Sequence, residues 1–486
     1  MLLRHAPRWV RIGGYVLIAA FVVFVLSAVL GNMNQPQATV FYVTVPDYTP
    51  ELDAIALHVE GDIFPMEKVG PQEYRREVDT SAIERGRMTR YGYTRGGFQV
   101  FGEDTFLGNV GGRTFDPTKD AEMRDVVAEW KWLPAKPVTA DVTSIAKTAA
   151  IAPRKEFWAG PDLVDFWNPS FPNQYESTIA HLKATGYKWI QLDPPWDYQS
   201  VDPVVISGEK VRVPSWPEEE VRKELRAFKA AGFKVFLGPQ VCCTPVDFKN
   251  RSAEWWTRWY DQEENFVRSF AKLAKEEGVS AFAISAPEPS LPGAPEAPSF
   301  AAARWDRILA AMRTSGAPIG FGFGILPPGD RPQPPWPQEA TAFYGKLDFL
   351  SFGFWNAVSE KLFPTQAEID AGLALIFRDL DFAHEKSGKP VVLAQVAYFS
   401  EKGAAQAKGP EKFPTWEDPK LHREAYDGKT QAMIYEGLMR QIAARPYVQG
   451  AFPFGYWYVD APLNLDSDVR AKPAERIFTE WLRRLQ

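Results

Sequence analysis

One pattern repeats from residue 154 to the end of the chain, and few folds can accommodate it. Short apolar runs at 155–158, 188–192, 234–237, 281–285, 318–323, 347–354, 390–396 and 448–457 read as buried strands. Between most of them lie amphipathic stretches of helical length, at 174–185, 217–231, 263–277, 300–314, 366–386 and 429–443. Eight strands in this alternation predict an α/β fold, a (β/α)8 TIM barrel over 154–486. Its site would be built on the loops after the C-terminal strand ends. A doubly wound open sheet is the alternative, but no Gly-x-Gly-x-x-Gly phosphate loop follows an early strand.

The N-terminal third has a different texture. Residues 13–31 form an unbroken apolar run, preceded by Arg4, Arg8 and Arg11 and followed by no basic residue before Lys68. That length and charge asymmetry predict a single-pass membrane anchor, with 1–12 cytoplasmic and the remainder extracytoplasmic. A cleaved signal peptide is the rival, because Ser27-Ala28 offers small residues, yet the run exceeds the usual apolar core of ~7–15 residues. Residues 38–135 are rich in β-forming runs such as 40–45 and 54–59, broken by the turn-like Pro46-Asp47-Tyr48-Thr49-Pro50, and predict a small β-sandwich. Residues 136–153 are small, polar and poor in aromatics, the composition of a linker.

Charge and rare residues exclude several function classes. A net charge of −6 without a block of Lys and Arg argues against nucleic acid. The five His are scattered and no Cys-x-x-Cys or His-Glu-x-x-His spacing occurs, so no metal or other cofactor is expected. Cys242 and Cys243, the two cysteines, are adjacent and cannot staple distant segments. They are expected after the third barrel strand, facing the cleft, either as a vicinal disulfide or as buried thiols.

Polar and aromatic residues collect at the predicted strand ends: Trp158, Asp193 with Trp196 and Asp197, Glu288, Trp355 with Asn356, Gln395 with Tyr398, and Trp457 with Asp460. Indole faces suit the C–H faces of sugar rings, and carboxylates and amides hydrogen-bond hydroxyls, so a saccharide cleft is the economical reading. Trp189 and Trp305 fall inside elements, and Trp255, Trp256 and Trp259 share one helix face; these are expected in the core.

Two resemblances follow from these residues. Thr44-Val45-Pro46, Tyr91-Gly92-Tyr93-Thr94-Arg95-Gly96, Gly112-Arg113 and Asp125-Val126-Val127-Ala128-Glu129-Trp130 resemble the starch-binding-type carbohydrate-binding module and its immunoglobulin-like relatives. The absence of Trp from 38–129, where sugar-binding modules usually stack a pyranose, favours a spacer over a sugar binder. The barrel resembles clan A glycoside hydrolases of the β-mannanase-like branch. The resemblance implies that Phe282-Ala283-Ile284-Ser285-Ala286-Pro287-Glu288-Pro289 carries the acid/base, Glu288, at the fourth strand end. It also implies that the nucleophile position, at the seventh strand end, is Gln395. The eighth strand's aromatic platform matches Gly450-Ala451-Phe452-Pro453-Phe454-Gly455-Tyr456-Trp457, and Asp466-Ser467-Asp468-Val469-Arg470-Ala471-Lys472-Pro473-Ala474-Glu475 looks like the closing motif of such barrels.

Two departures from that family pattern bear on chemistry. A retaining glycosidase needs two carboxyl groups about 5 Å apart, and an amide cannot be the nucleophile. Pro287 also replaces the Asn that would hold the substrate 2-hydroxyl. Three function classes stay open at this stage. One is a glycan-processing hydrolase of the cell envelope in which Asp193, Asp197 or Asp460 replaces the nucleophile, or in which Gln395 is an introduced trap. The second is a catalytically silent barrel that binds oligo- or polysaccharide, and the third is a structural envelope protein.

Overall fold

The computed structural model describes residues 38–83, 87–103, 111–209, 216–242, 244–324, 338–406 and 423–486. The expected anchor at 13–31 lies outside them. Among the described residues no helix is long and apolar enough to cross a membrane. The chain divides into two compact units, one of residues 38–49 with 55–128 and one of 50–54 with 129–486.

The smaller unit has eight strands: β1 (Ala38–Thr44), β2 (Ile55–Val59), β3 (Asp62–Pro65), β4 (Glu67–Lys68), β5 (Glu73–Asp79), β6 (Thr89–Arg95), β7 (Arg113–Phe115) and β8 (Glu122–Val126). They form two four-stranded sheets, ordered β4-β5-β1-β8 and β3-β2-β6-β7. In β1, Phe41 and Val43 face inward while Tyr42 and Thr44 are more exposed, the alternation of a strand covered on one face. Phe41 meets Tyr91 and Phe115 of the other sheet edge-on, with ring centroids 5.0 and 5.1 Å apart. The motif residues form one polar network beside that contact. The Asp125 carboxylate accepts from the hydroxyls of Tyr91 (2.9 Å) and Tyr93 (2.7 Å) and from Arg113 Nη1 (2.8 Å), and Arg113 also pairs with Glu103. These residues therefore have a structural role, since they cross-link the two sheets.

The larger unit is a closed parallel barrel. Its staves are β9 (Trp158–Ala159), β10 (Trp189–Leu192), β13 (Lys234–Leu237), β15 (Ala281–Ser285), β16 (Ile319–Gly324), β17 (Phe349–Phe354), β18 (Val391–Val396) and β19 (Val448–Pro453). Accessory strands β11 (Pro195–Val201), β12 (Val204–Ser207) and β14 (Gln240–Val241) decorate the loops after β10 and β13. From β10 onward each stave pairs in parallel with the next, and β19 pairs with β9. A parallel bridge between Asp162 and Gln191 closes the ring. All eight predicted strands are present. The first and last differ in extent, because Trp158 begins β9 and β19 stops at Pro453.

The helices are α1 (Tyr175–Thr185), α2 (Glu218–Ala230), α3 (Ala253–Glu277), α4 (Ala301–Arg313), α5 (Gln338–Gly345), α6 (Gln366–Ser387), α7 (Gly428–Ala443) and α8 (Pro473–Leu485). Helix α3 starts earlier than its sequence suggested, because the Ser252 hydroxyl accepts from Trp255 N and caps the added turns. Those turns bury Trp255, Trp256 and Trp259, and Trp189 and Trp305 are likewise core residues. Residues 136–153 are not a free linker. Ala146 is fully buried, Ile145 N donates to Glu436 Oε1 (3.2 Å), and Arg476 Nη2 donates to Val142 O (2.9 Å), so the segment is fastened to α7 and α8. Trp130 and Trp132, expected at the end of the sandwich, are buried in this larger unit.

Strand periodicity sorts the barrel interior into layers. Trp158, Trp189, Phe236, Ala281, Ala283, Phe349, Val392, Ala394 and Phe452 form one buried cluster, in which Trp158 stacks on Trp189 at 4.7 Å. Gly450 makes room for Trp158, since a Cβ there would fall 2.8 Å from the tryptophan Cβ. This plug fills the inside of the barrel, and polar side chains appear only one layer further along the strands.

Candidate functional site

Continuing inward at every second residue from the plug brings polar groups to the barrel mouth. From Trp158 the step leads through Gly160 to Asp162; from Trp189, to Gln191 and Asp193; from Ala283, to Ser285; and from Phe349, to Ser351, Gly353 and Trp355. These ends border a cavity of about 220 Å³ lined by residues that include Gln191, Asp193, Gln240, Ser285, Trp355 and Gln395. A second cavity of about 380 Å³ shares Gln240, Trp355 and Gln395 and adds Asp165, Cys242, Tyr398 and Phe454, so the two form one continuous cleft.

Gln395 enters the cleft through an irregularity. Val392 and Ala394 belong to the interior cluster, and strict alternation would send Gln395 outward. The ladder slips between Phe352 and Gly353 on the β17 side and between Leu393 and Val396 on the β19 side. A bulge of this kind re-aims the next side chain, and Ala394 and Gln395 both line the cavity.

There the amide meets a carboxyl group. Gln395 Nε2 donates to Asp193 Oδ2 at 2.9 Å, and Gln191 Nε2 donates to the same oxygen at 2.7 Å. Asp162 is fully buried beside Asp193, close enough for each carboxyl group to shift the other's titration. Burial, reinforced by the charges of Asp193 and Asp165, pushes the Asp162 pKa well above the carboxylate range. Burial also raises Asp193, to about 7, although its amide donors favour the ionised form. Asp165, which accepts from Gln240 Nε2 at 3.3 Å, is raised by burial too.

Trp355 supplies the apolar wall. Its side chain is 49% exposed although it borders both cavities. Gly353 allows that pose, because a Cβ there would lie 2.1 Å from the indole ring.

Other predicted site residues are placed elsewhere. Trp158 is part of the interior plug, not a sugar platform. Trp196 turns away from the cleft and packs on Phe266 and Phe270 of α3. Asp197 is buried and accepts from the backbone N–H groups of Tyr198 and Thr244, which fixes a loop. Asn356 is buried, and its carbonyl accepts from the hydroxyl of Tyr398 (2.9 Å), itself 1% exposed at the cleft wall. Trp457 is buried and donates to Asp466 Oδ2 (2.6 Å), while Asp460 pairs with the buried Arg470 (2.6 Å). The closing motif is thus structural: Arg470 also donates to Thr178 and to Trp457 O, and buried Lys472 donates to Ser400.

Glu288 is exposed and lines neither cavity. Strand β15 delivers Ser285 and Ala286 to the cleft, and Glu288 follows in the short 3-10 turn Glu288–Ser290. Surrounding protein desolvates its carboxyl group and raises its pKa. Cys242 does face the cleft and is disulfide-bonded, and the chain has one other cysteine, Cys243, which lies outside the described residues. Sequence reasoning missed Asp162, Asp165, Gln191 and Gln240. For Asp162 the signal was available, in the alternation Trp158, Gly160, Asp162. Among the described residues no group of three His, Cys, Asp or Glu side chains could hold a metal ion.

Comparison with known proteins agrees with this architecture. Two solved structures of GH113 β-1,4-mannanase, one of them a complex, superpose with a TM-score of 0.50 at 16% identity, covering 67% of this chain and 99% of the other. That level of identity speaks for the fold alone. No curated protein matches the chain. The family model of Glycoside Hydrolase Family 113 matches residues 171–472, more than half the chain and most of the barrel, and the protein belongs to that family.

Proposed function

We propose that this family member binds a β-linked polysaccharide across the barrel mouth and does not cleave it by the retaining route. The observation that carries this reading is the hydrogen bond from Gln395 Nε2 to Asp193 Oδ2. A retaining nucleophile is an ionised carboxylate and needs donors around it. Here the residue at that position is itself the donor and its partner is the carboxyl group, so the local polarity is reversed. That complementarity also fits a native Gln395 better than an introduced one. The fourth strand offers Ser285 and Ala286 to the cleft in place of a carboxylic acid. Trp355 retains what binding needs, an exposed apolar face beside hydrogen-bonding groups.

β-1,4-Mannan is the first ligand to try, because the similar structures are mannanases. The smaller unit acts in this reading as a spacer, since its described aromatics are buried or half-buried and it has no Trp. It would hold the barrel outside a membrane anchored through 13–31. The test is titration of manno-oligosaccharides, followed by tryptophan fluorescence, with chromatography of the products. Saturable binding without new reducing ends is expected, and hydrolysis with retained configuration would overturn the reading. A second reading rests on Asp193, whose pKa of about 7 keeps part of the population protonated at neutral pH. Inverting hydrolysis that disappears in Asp193→Asn would favour it.

A further inference from the structure

We propose that the glycan site continues beyond the barrel mouth onto the loop after β17, where Leu362 and Phe363 form a second apolar platform, so that the protein selects extended β-linked chains over short oligosaccharides. The inference rests on the reading of the cleft as a glycan site and adds the length of its ligand.

Exposure singles this loop out. Among the described residues, Trp355 and Phe363 are the exposed Trp and Phe side chains, and every other Trp, Phe and Tyr is buried or half-buried. Phe363 is 64% exposed and its neighbour Leu362 is 45% exposed. Large apolar side chains left in water beside a cleft mark a contact surface. The backbone that carries them is fixed. Val358 N and Ser359 N both donate to Ala405 O (2.8 and 3.0 Å), and Gln406 Nε2 donates to Glu360 O (2.6 Å). At the far end Thr365 and Glu368 cap α6 reciprocally. Gly372 of α6 leaves room for Val358 O, from which a Cβ would lie only 1.9 Å away. An ordered backbone thus holds the two side chains outward, and a ligand that covers them loses little entropy to ordering the loop.

The same contacts join the platform to the cleft. Ala404 lines the larger cavity together with Trp355. The residue before it, Gly403, lies against Leu362, whose Cδ1 would be 3.4 Å from a Cβ placed there. One apolar strip therefore runs from the wall at Trp355 to Leu362 and Phe363. Its chemistry suits a sugar chain, since the ring of Phe363 can cover the C–H face of a pyranose while the exposed Glu360 carboxylate accepts from hydroxyls. A protein partner is too large for it. Leu362 and Phe363 together present roughly 200 Å², against the ~800 Å² that each side of a stable protein interface buries.

The experiment is isothermal titration of the full chain in detergent with β-1,4-linked dimers and hexamers of mannose, glucose and N-acetylglucosamine. The best hexamer is expected to bind at least about tenfold more tightly than its dimer, and Phe363→Ala should remove about tenfold of that advantage, the scale of one aromatic contact. Dimer binding should be unchanged or stay undetected. Phe363→Tyr keeps the ring and should keep the hexamer affinity. Thermal unfolding midpoints equal to the parent's show that the variants are folded, as expected for an exposed position. Unchanged hexamer affinity in Phe363→Ala, or an equal loss for dimer and hexamer, overturns this inference and leaves the glycan reading intact. So does a lower oligomeric state in Phe363→Ala without a change in hexamer affinity, which would assign the patch to a second copy of the chain. No binding of any hexamer overturns both.

Discussion

Replacing Gln395 with Glu restores the carboxylate that a retaining mechanism needs, and the structure predicts that it restores neither activity nor a charge. The new carboxyl group would stand where Gln395 Nε2 now lies, 2.9 Å from Asp193 Oδ2. Two charges about 3 Å apart repel by ~5 kcal/mol at an effective dielectric constant of about 20, equivalent to ~4 pH units. Burial pushes Asp193 up to about 7 and Asp162 higher, so at pH 8 the cluster takes up a second proton rather than a second charge. The protonated side chain of the Gln395→Glu variant can donate to Asp193 but cannot attack an anomeric carbon. At pH 8 holding a proton on a carboxyl group whose unfolded pKa is about 4.3 costs free energy that the amide does not, and the variant should be ~4–5 kcal/mol less stable, whereas at pH 5 that cost shrinks to about 1 kcal/mol. Urea unfolding at the two pH values reads the stability, and release of 4-nitrophenol from an aryl β-mannoside reads the activity. A variant as stable as the parent at pH 8 that also hydrolyses the mannoside with retention would refute the reasoning.

Further outcomes follow from neighbouring features. Gly353→Ala places a methyl carbon 2.1 Å from the Trp355 ring, so the indole must move; oligosaccharide affinity should fall by about tenfold, the scale of one aromatic contact, and an unchanged affinity would remove Trp355 from the site. Glu288→Gln should change binding by less than about twofold, as exposed substitutions usually do, and a loss beyond tenfold would show that Glu288 reaches the ligand. Asp162, Asp165, Asp193, Glu224 and Glu263 all have raised pKa values, the last three at about 7, 8 and 8. The folded state therefore binds more protons than the unfolded chain above pH 4, and stability is lost as the pH rises through 7 to 8. Thermal unfolding should show a lower midpoint at pH 8.5 than at pH 5.5, and the opposite order would contradict the buried-acid assignment. The protein should stay with membranes through alkaline carbonate washing if 13–31 is an uncleaved anchor, and a mature N-terminus near Val29 would show cleavage instead.

The barrel was legible because parallel strands covered on both faces must be apolar along their whole length. Strand β13 at Lys234–Leu237 and strand β15 at Ala281–Ser285 coincide with their sequence patterns. The helices were legible for a related reason, since several end in a signal such as Gly186, Gly278 or Gly388 in the left-handed region. Accessory strands β11 and β12 were not read, because Pro195–Val201 mixes Trp, Asp, Tyr and Gln in no fixed period. The site was only partly legible. Trp158 and Trp457 have the same side chain as Trp355, yet burial against Trp189 and Phe166 makes them core, and half-buried Trp196 packs on Phe266 away from the cleft. An aromatic near a strand end is ambiguous until its depth in the barrel is known.

Depth also explains why Gln395 was found and Asp162 was not. Counting inward positions from the apolar plug reaches Asp162, Gln191, Asp193, Ser285 and Ser351 without further assumptions, because every step keeps the strand's period of two. Gln395 breaks that period and enters the cleft through the bulge in β18, a backbone irregularity that leaves no mark on composition. It was identified from resemblance instead, as was Glu288, which borders neither of the two described cavities. Gln395 is held in the cleft by Asp193, whereas Glu288 stands in the turn Glu288–Ser290 with a carboxyl group desolvated by surrounding protein and borders neither described cavity. A reversal confined to Gln395 would be consistent with a single substitution in a working hydrolase. The buried Asp162 and Asp193 pair meets the amide with complementary groups, so a Gln395→Glu reversal alone leaves two acidic neighbours beside the new carboxyl group.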